Sequence, residues 1–325
     1  MKYLSNDALA RLRESLDAPD LIGTRYRMIG KLGQGGMGGV YCVEDSALDR
    51  QVALKVLTSI DAGSEMTTRL MREARVIAQL EHPGIVPVHD VGTLPDGRVY
   101  YTMKLVQGER LDQFAEKSHS LPVRLRLFQK ICDAVSFAHA HGVLHRDLKP
   151  ENVMVGPFGE VLVMDWGLSK LLQHPGQNSL QPAKSDLPVS EQIPPLAGGP
   201  TAHGTILGTP GYMAPEQARG EVDQLNERAD VYALGAILKF LVNVHTRALR
   251  AICDKAMCPN ASLRYATAAE LERDIASYLD GLSVSAYPEG LLTRAWRWIW
   301  RNRIWVVLIL AYLVMRALLL LLQGR

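Results

Sequence analysis

The sequence predicts an α+β chain: a small, mostly β unit with one helix, then a larger and mostly helical unit, then a long apolar segment. Three observations carry this. Residues 26–60 alternate apolar and polar on both sides of a glycine cluster, the period-two pattern of strands. From Leu111 the apolar spacing turns helical. Residues 304–322 are nineteen residues with a single charge, Arg316. A chain of 325 residues can bury a large core and forms one or two domains.

Residues 1–25 form an N-terminal extension. Its "MKYLSNDALARLRESL" lacks the continuous apolar run of a signal peptide. Leu9, Leu12 and Leu16 fall at helical spacing behind Ser5, which predicts a short docking helix. "RYRMIGKLGQGGMGGVYCVEDS" and "QVALKVL" read as strands. A helix is predicted over about 65–81, with Leu70, Val76, Ile77 and Leu80 on one face. "EHPGIVPVHDVG" and "RVYYTMKLV" add two strands. "VRLRLFQKICDAVSFAHAHG" is a long amphipathic helix closed by Gly142. Short strands around "VMVG" and "VLVMD" frame a hairpin. Residues 172–204, which include "QHPGQNSLQPAKSDLPVSEQIPPLAGGPTAHG", are rich in Pro, Ser, Gln and Gly and predict a mobile or disordered segment. "DVYALGAILKFLV", "RALRAICDKAM" and "AAELERDIASYLDG" resume the helices.

The net charge of +2 is uneven, since residues 290–325 hold Arg294, Arg297, Arg301, Arg303, Arg316 and Arg325 and no acid. No nucleic-acid partner is expected. Cys42, Cys132, Cys253 and Cys258 are scattered without metal-ligand spacing, so they predict free buried thiols and a reducing compartment.

Gly33, Gly35 and Gly38 form G-x-G-x-x-G, followed by Val40. Dinucleotide-binding loops share this pattern but open a helix, whereas here "GVYCVED" continues as a strand. Glycines let backbone amides approach phosphates, and a plain glycine hairpin is the bland alternative. Lys55 lies inside the apolar strand "VALK", where a charge is costly unless an anion meets it. Glu73 shares a helix face with Leu70, Val76 and Ile77, so its carboxylate is expected to point inward; a surface pair is the alternative. "HRDLKPENV" (145–153) packs two carboxylates, cationic groups and an amide around a proline, the composition of a pocket that handles a metal and a phosphate.

Together, "HRDLKPEN", the glycine loop, Lys55, Glu73 and "DWG" (165–167) resemble protein kinases, with "LKPEN" and "GTPGYMAPE" (208–216) similar to the serine/threonine class and "HPGIVPVHDVG" similar to bacterial, eukaryotic-like members. The resemblance implies a two-lobed protein kinase fold over residues 26–281, with an N-lobe 26–106, a C-lobe 107–281 and an activation segment 165–216. It implies ATP and Mg2+ as cofactors and proteins bearing Ser or Thr as substrates. By it, Asp147 accepts the substrate hydroxyl proton, Lys149 neutralises the transferring group, and Asn152 and Asp165 hold the metal. Leu32, Gly33, Gly35, Gly36, Gly38, Val40, Ala53, Lys55, Met103 and Leu105 line the ATP site, with Met103 as gatekeeper and Lys104–Val106 as hinge. Asp230 braces the catalytic loop, Glu216 and Arg264 form a buried ion pair, and Thr209 contacts Asp147 and Lys149. Thr201, Thr205 and Ser190 are the expected phosphorylation sites, with Arg146 as the phosphate's partner and a homodimer as one route to trans-phosphorylation.

Two departures stand out. Trp166 replaces the usual Phe. Only 34 positions separate Asp230 from Arg264, so the C-lobe is expected to lack one helix and to need a cover for the exposed apolar patch. The N-terminal helix, the arm around "SVSAYPEG" or a second chain could supply it. A pseudokinase scaffold and a small-molecule kinase are the competing readings. Residues 282–303 read as a basic, aromatic juxtamembrane arm, and 304–322 as a transmembrane helix in the cell membrane, single-pass, with the kinase domain cytoplasmic: Arg294, Arg297, Arg301 and Arg303 flank only its N-terminal side, and Trp296, Trp298, Trp300 and Trp305 suit the headgroup level.

Overall fold

The computed structural model describes residues 18–34, 38–57, 65–117, 119–166, 170–171, 209–221, 225–242, 246–287, 299 and 302–323, with side chains of the last helix described as far as Arg316. The predicted N-terminal helix and the segment 172–204 lie outside the described residues.

The N-lobe is a five-stranded antiparallel sheet of order β1-β2-β3-β5-β4, built from β1 (Tyr26–Gln34), β2 (Gly38–Asp45), β3 (Arg50–Leu57), β4 (Val88–Thr93) and β5 (Val99–Lys104). The period of two sorts its side chains. Val52, Leu54 and Val56 of β3 join Tyr26, Tyr41, Val43, Leu94 and Tyr100 on one face. Ala53 and Leu57 turn to the other and pack with Leu70, Ala74, Tyr101 and Met103 beneath helix α1 (Glu65–Ala78). Register fixes the neighbours that matter later: Ala53 lies opposite Met103, and Lys55 opposite Tyr101. Gly38 sits opposite Leu57, and a Cβ there would collide with the Val56 carbonyl, so β2 runs this close to β3 only with glycine.

Helix α1 turns Leu70, Glu73 and Ala74 to the sheet and Ile77 to the C-lobe core, all four buried at the i, i+3, i+4, i+7 spacing of one face. It ends at Ala78, short of the predicted Glu81. Gln79 and Leu80 donate to carbonyls three residues back, tightening the last turn, and Pro83 disfavours helical geometry at His82.

The C-lobe contains β6 (Glu109–Arg110), α2 (Leu111–Glu116), α3 (Leu121–Ala140), β7 (Val143–Leu144), β8 (Val153–Val155), β9 (Val161–Val163), β10 (Lys170–Leu171), α4 (Pro215–Ala218), α5 (Glu227–Val242), α6 (Arg247–Ala256) and α7 (Ala268–Leu279). Its core gathers Phe128, Ile131 and Val135 of α3 with Leu234, Ile237 and Leu241 of α5 and Leu271 and Ile275 of α7. Gly142 closes α3 at a φ of 74°, donating to the His139 carbonyl at 2.9 Å. Only four residues separate α5 from α6, too few for the missing helix. The two helices cross closely because Gly235 faces Ala256, where a Cβ would approach the alanine methyl to 2.7 Å. Thr246 caps α6 through Leu249 N–H, and Thr267 caps α7 through Glu270 N–H.

The chain past α7 does not leave the lobe at residue 281. Val284 is buried, and Ala286 and Tyr287 pack against the same core. One carboxylate pins this strap. Asp274, buried on α7, accepts Ser285 N–H at 2.7 Å, the Ser285 hydroxyl at 2.8 Å, Ala286 N–H at 3.1 Å and the Tyr265 hydroxyl at 2.7 Å. Burial pushes the Asp274 carboxyl up, but these donors outweigh it and hold it below the ordinary 3.8. The associated stability is therefore complete above the unfolded value and is lost as pH falls through the lower folded one. Asp274→Ala is expected to cost about 2–4 kcal/mol in urea unfolding, since several charge-assisted bonds go together. An unchanged midpoint would show that the strap is not held this way.

Helix α8 (Arg303–Gln323) runs for 21 residues, about 31 Å at 1.5 Å per residue. Val307, Leu308, Ile309 and Leu310 follow at 100° steps, and each is more than half exposed, so its described part is apolar all round. Among the described residues, no helix is long and apolar enough to cross a membrane.

Candidate active site

Between the lobes, β3, α1 and the loops after β7 and β9 bring together charged residues that the sequence scatters from Lys55 to Asp165, and Thr209 joins them. Lys55 Nζ donates to Glu73 Oε1 at 2.7 Å and to Asp165 Oδ1 at 3.2 Å. Burial works against the Lys55 ammonium, but Tyr101, Glu73 and Asp165 around it raise its pKa above the ordinary value, so it stays charged. Burial likewise pushes the Asp165 carboxyl up. Lys55, with His145 and Lys149 beyond, more than reverses this and leaves the carboxyl below its usual range. Asp165 is thus an anion, and its side chain remains half exposed.

The loop 145–152 is positioned from below. Asp230, buried on α5, accepts His145 N–H at 2.8 Å and Arg146 N–H at 2.9 Å. Its carboxyl would rise on burial, but His139, His145 and the Arg146 amide hold it low. Gln217 of α4 donates to the Arg146 carbonyl at 2.6 Å. These contacts hold Arg146 at a φ of 72°, and Asp165 lies at 59°; both are left-handed positions that non-glycine residues adopt at a cost of about 1–3 kcal/mol, a strain concentrated at functional sites.

Above this brace, Asp147, Lys149, Asn152 and Thr209 converge. Lys149 Nζ donates to Asp147 Oδ2 and to Thr209 Oγ1, each at 2.8 Å, and the Thr209 hydroxyl donates to Asp147 Oδ1 at 3.1 Å. Asn152 Nδ2 donates to the Asp147 carbonyl at 2.8 Å, which leaves the amide oxygen for a cation. Among the described residues no group of three His, Cys, Asp or Glu side chains forms a metal cluster. Mg2+ does not need one: it takes one or two carboxylates and completes its shell with phosphates and water, so Asp165 and Asn152 fit it as an oxygen pair.

The apolar wall beside Lys55 consists of Ala53 and Met103, with Val40, Leu105, Val106 and Met164 packed against them. Leu32 is 52% exposed and lies on β1 next to Gly33, which pairs with Val40 across the sheet. Gly35 and Gly36, and the expected phosphorylation sites Thr201, Thr205 and Ser190, lie outside the described residues. Trp166 is fully buried, with its indole N–H on the Val163 carbonyl at 3.3 Å and its ring 4.5 Å from that of His145. Glu216 and Arg264 meet as a bidentate pair at 2.6 and 2.8 Å, and Arg264 also holds the carbonyls of Arg228, Cys258 and Pro259.

Three contributors escape a reading of the sequence. His139 bonds Asp230 through Nε2 at 2.8 Å. Its signal is a lone polar residue on the α3 stripe of Phe128, Cys132 and Val135. Tyr101 shares strand parity with Met103, but its partnership with Glu73 needs the β3–β5 register. Gln217 carries no sequence signal beyond its place after "APE".

The protein kinase domain model matches residues 26–260. The serine/threonine-protein kinase PknD of Protochlamydia amoebophila is 33% identical over 306 residues, covering 79% of this chain and 30% of its own length. PknD of Chlamydia trachomatis is 39% identical over 229 residues, covering 66% of this chain and 24% of its own. This chain thus spans about a third or less of those relatives. The crystal structure of the Mycobacterium tuberculosis PknI kinase domain superposes with a TM-score of 0.54 at 24% identity, covering 78% of this chain and 95% of that one, which is a likeness of fold. With the domain model matching more than half of its length, the chain belongs to the protein kinase family.

Proposed function

We propose that this chain is an ATP-dependent serine/threonine protein kinase anchored in the cell membrane, with its catalytic domain in the cytoplasm. The observation that carries the activity is the hydroxyl of Thr209 donating to Asp147 while Lys149 Nζ bridges both groups. Asp147 there accepts a proton donor of the kind a substrate serine or threonine presents. In transfer, Asp147 orients the substrate hydroxyl and takes its proton, Lys149 offsets charge on the moving group, and Lys55, aimed by Glu73, aligns the phosphates. Bound Mg·ATP supplies the phosphoryl group and an electrophilic cation, held by Asp165 and Asn152. Phosphorylation at Thr201, Thr205 or Ser190 orders the activation segment against Arg146 in this reading, and a second copy of the chain performs it.

Labelled ATP tests this. Phosphate should appear on serine or threonine of a protein acceptor and, by mass spectrometry, between Ser179 and Thr209 of the chain, and should vanish in Asp147→Asn. The direct α5–α6 passage favours the second reading, a scaffold without transfer; absence of label in the wild type would select it.

The membrane anchor is supported by the all-round exposure of apolar side chains on α8 and by Arg294, Arg297, Arg301 and Arg303 clustered on its N-terminal flank. The thirteen Leu, Ile and Val residues of 304–322 favour insertion by at most about 4–8 kcal/mol, against about 2.5–3.5 for an arginine at the centre and less for Arg316, which lies off it. The full chain is expected to stay in membrane pellets through a carbonate wash. Release by high salt alone would place the helix on the surface of the bilayer.

A further inference from the structure

We infer that Tyr101 is a positioning residue for phosphoryl transfer, its hydroxyl holding Glu73 in place while Lys55 serves the phosphates. This rests on the kinase reading above. Tyr101 is 2% exposed and stands directly opposite Lys55 across the β3–β5 ladder. Its hydroxyl donates to Glu73 Oε1 at 2.8 Å, the same oxygen that Lys55 reaches at 2.7 Å. The other oxygen, Oε2, is buried and has no hydrogen-bond partner among the described residues. Glu73 is therefore held through one atom by two donors, and each matters more than it would in a fully satisfied carboxylate.

The two donors differ in their obligations. Lys55 is shared between Glu73 and Asp165 and must also meet the nucleotide, so its grip on Glu73 weakens when phosphates draw on the ammonium. Among the described residues, Tyr101 commits its hydroxyl to Glu73 alone. It rises from a strand paired on both sides, β3 and β4, and so ties α1 to the centre of the sheet whether or not nucleotide is bound. Burial, opposed by Lys55 and aided by Glu73, pushes its ionisation well above the ordinary value, so it remains a donor across the working pH range. A phenylalanine would fill the same space, but a buried hydroxyl needs a partner, and here that partner is the carboxylate of the ion pair.

The test is Tyr101→Phe in the full chain, made both in the wild type and in Glu73→Gln. A hydrogen bond to a charged group corresponds to roughly a tenfold effect. In the wild-type background, kcat/KM for ATP should fall about tenfold, with the protein-substrate KM nearly unchanged and the melting temperature down by a few degrees. In Glu73→Gln the same substitution should change neither rate by more than about twofold, because the effect travels through the carboxylate. Calorimetry with Mg·ADP gives a reading independent of transfer: affinity should drop severalfold, again only where Glu73 is present. If the wild type binds Mg·ADP but transfers no phosphate, the kinase reading fails and the calorimetric cycle still decides the role of Tyr101. Equal losses in both backgrounds, or none in either, overturn the proposal.

Discussion

Replacing Lys55 by methionine is expected to lower phosphoryl transfer by about 10²–10³-fold or more, the scale seen when one preorganised charge is removed from a transition state. Lys55 is the only side chain described as bridging α1 and the loop after β9, through Glu73 at 2.7 Å and Asp165 at 3.2 Å. Without it the phosphates lose an aligned cation, and Asp165 loses the neighbour that keeps its carboxyl low. The fold should survive, because the C-lobe core lies elsewhere and Tyr101 continues to hold Glu73. A buried carboxylate stripped of its cation still weakens the N-lobe, by about 1–3 kcal/mol. Turnover by the purified variant, compared with its urea midpoint, separates the two effects. Wild-type turnover would mean that Lys55 does not meet the nucleotide, and the site assignment would fall. Asp165→Asn should match it in rate, through loss of the metal ligand instead.

Asp230→Ala should combine a large loss of activity with a large loss of stability. The carboxylate is buried and accepts from two backbone amides and from His139. Removing it leaves both amides without their acceptor, at about 1–3 kcal/mol each, and frees Arg146 from its left-handed conformation. Asp147 is the next residue, so the relaxation displaces the group that takes the proton, and a displacement near 1 Å is enough to cost about 10²-fold. The expected total of about 3–5 kcal/mol is a large fraction of a domain's 5–15. Asp230→Asn keeps the volume and one acceptor, and should fall between the variant and the wild type on both scales. Full activity in Asp230→Ala would show that the loop holds its shape without the brace.

Much of this site is legible in the sequence because its chemistry sits in contiguous motifs. "HRDLKPEN" carries four functional groups within eight positions, and Glu73 declares itself by falling on an apolar helix face. The Asp230 and Glu216–Arg264 contacts follow from family likeness; residue spacing by itself does not predict them. Tyr101 could not be read, since its role depends on which residue of β3 it faces, and register is a property of two strands that neither states alone. The end of the C-lobe was legible only as an alternative, the arm around "SVSAYPEG" being one of three candidate covers. Residues 282–287 have no periodicity, and their attachment depends on one carboxylate, Asp274, that reads as an ordinary helix-surface acid beside Arg273.

That attachment has a mechanical consequence. The chain beyond Tyr287 leads to α8, so any tension arriving from that end enters the domain through the strap. Three hydrogen bonds from Ser285 and Ala286 converge on Asp274 and are loaded together, while Val284 and Tyr287 must be pulled from the core in the same event. Asp274 thus acts as a cleat: a pull from the C-terminal side is taken up on the middle of α7, and the helix's own C-terminal turn, Ala276 to Leu279, is shielded from being peeled off one residue at a time.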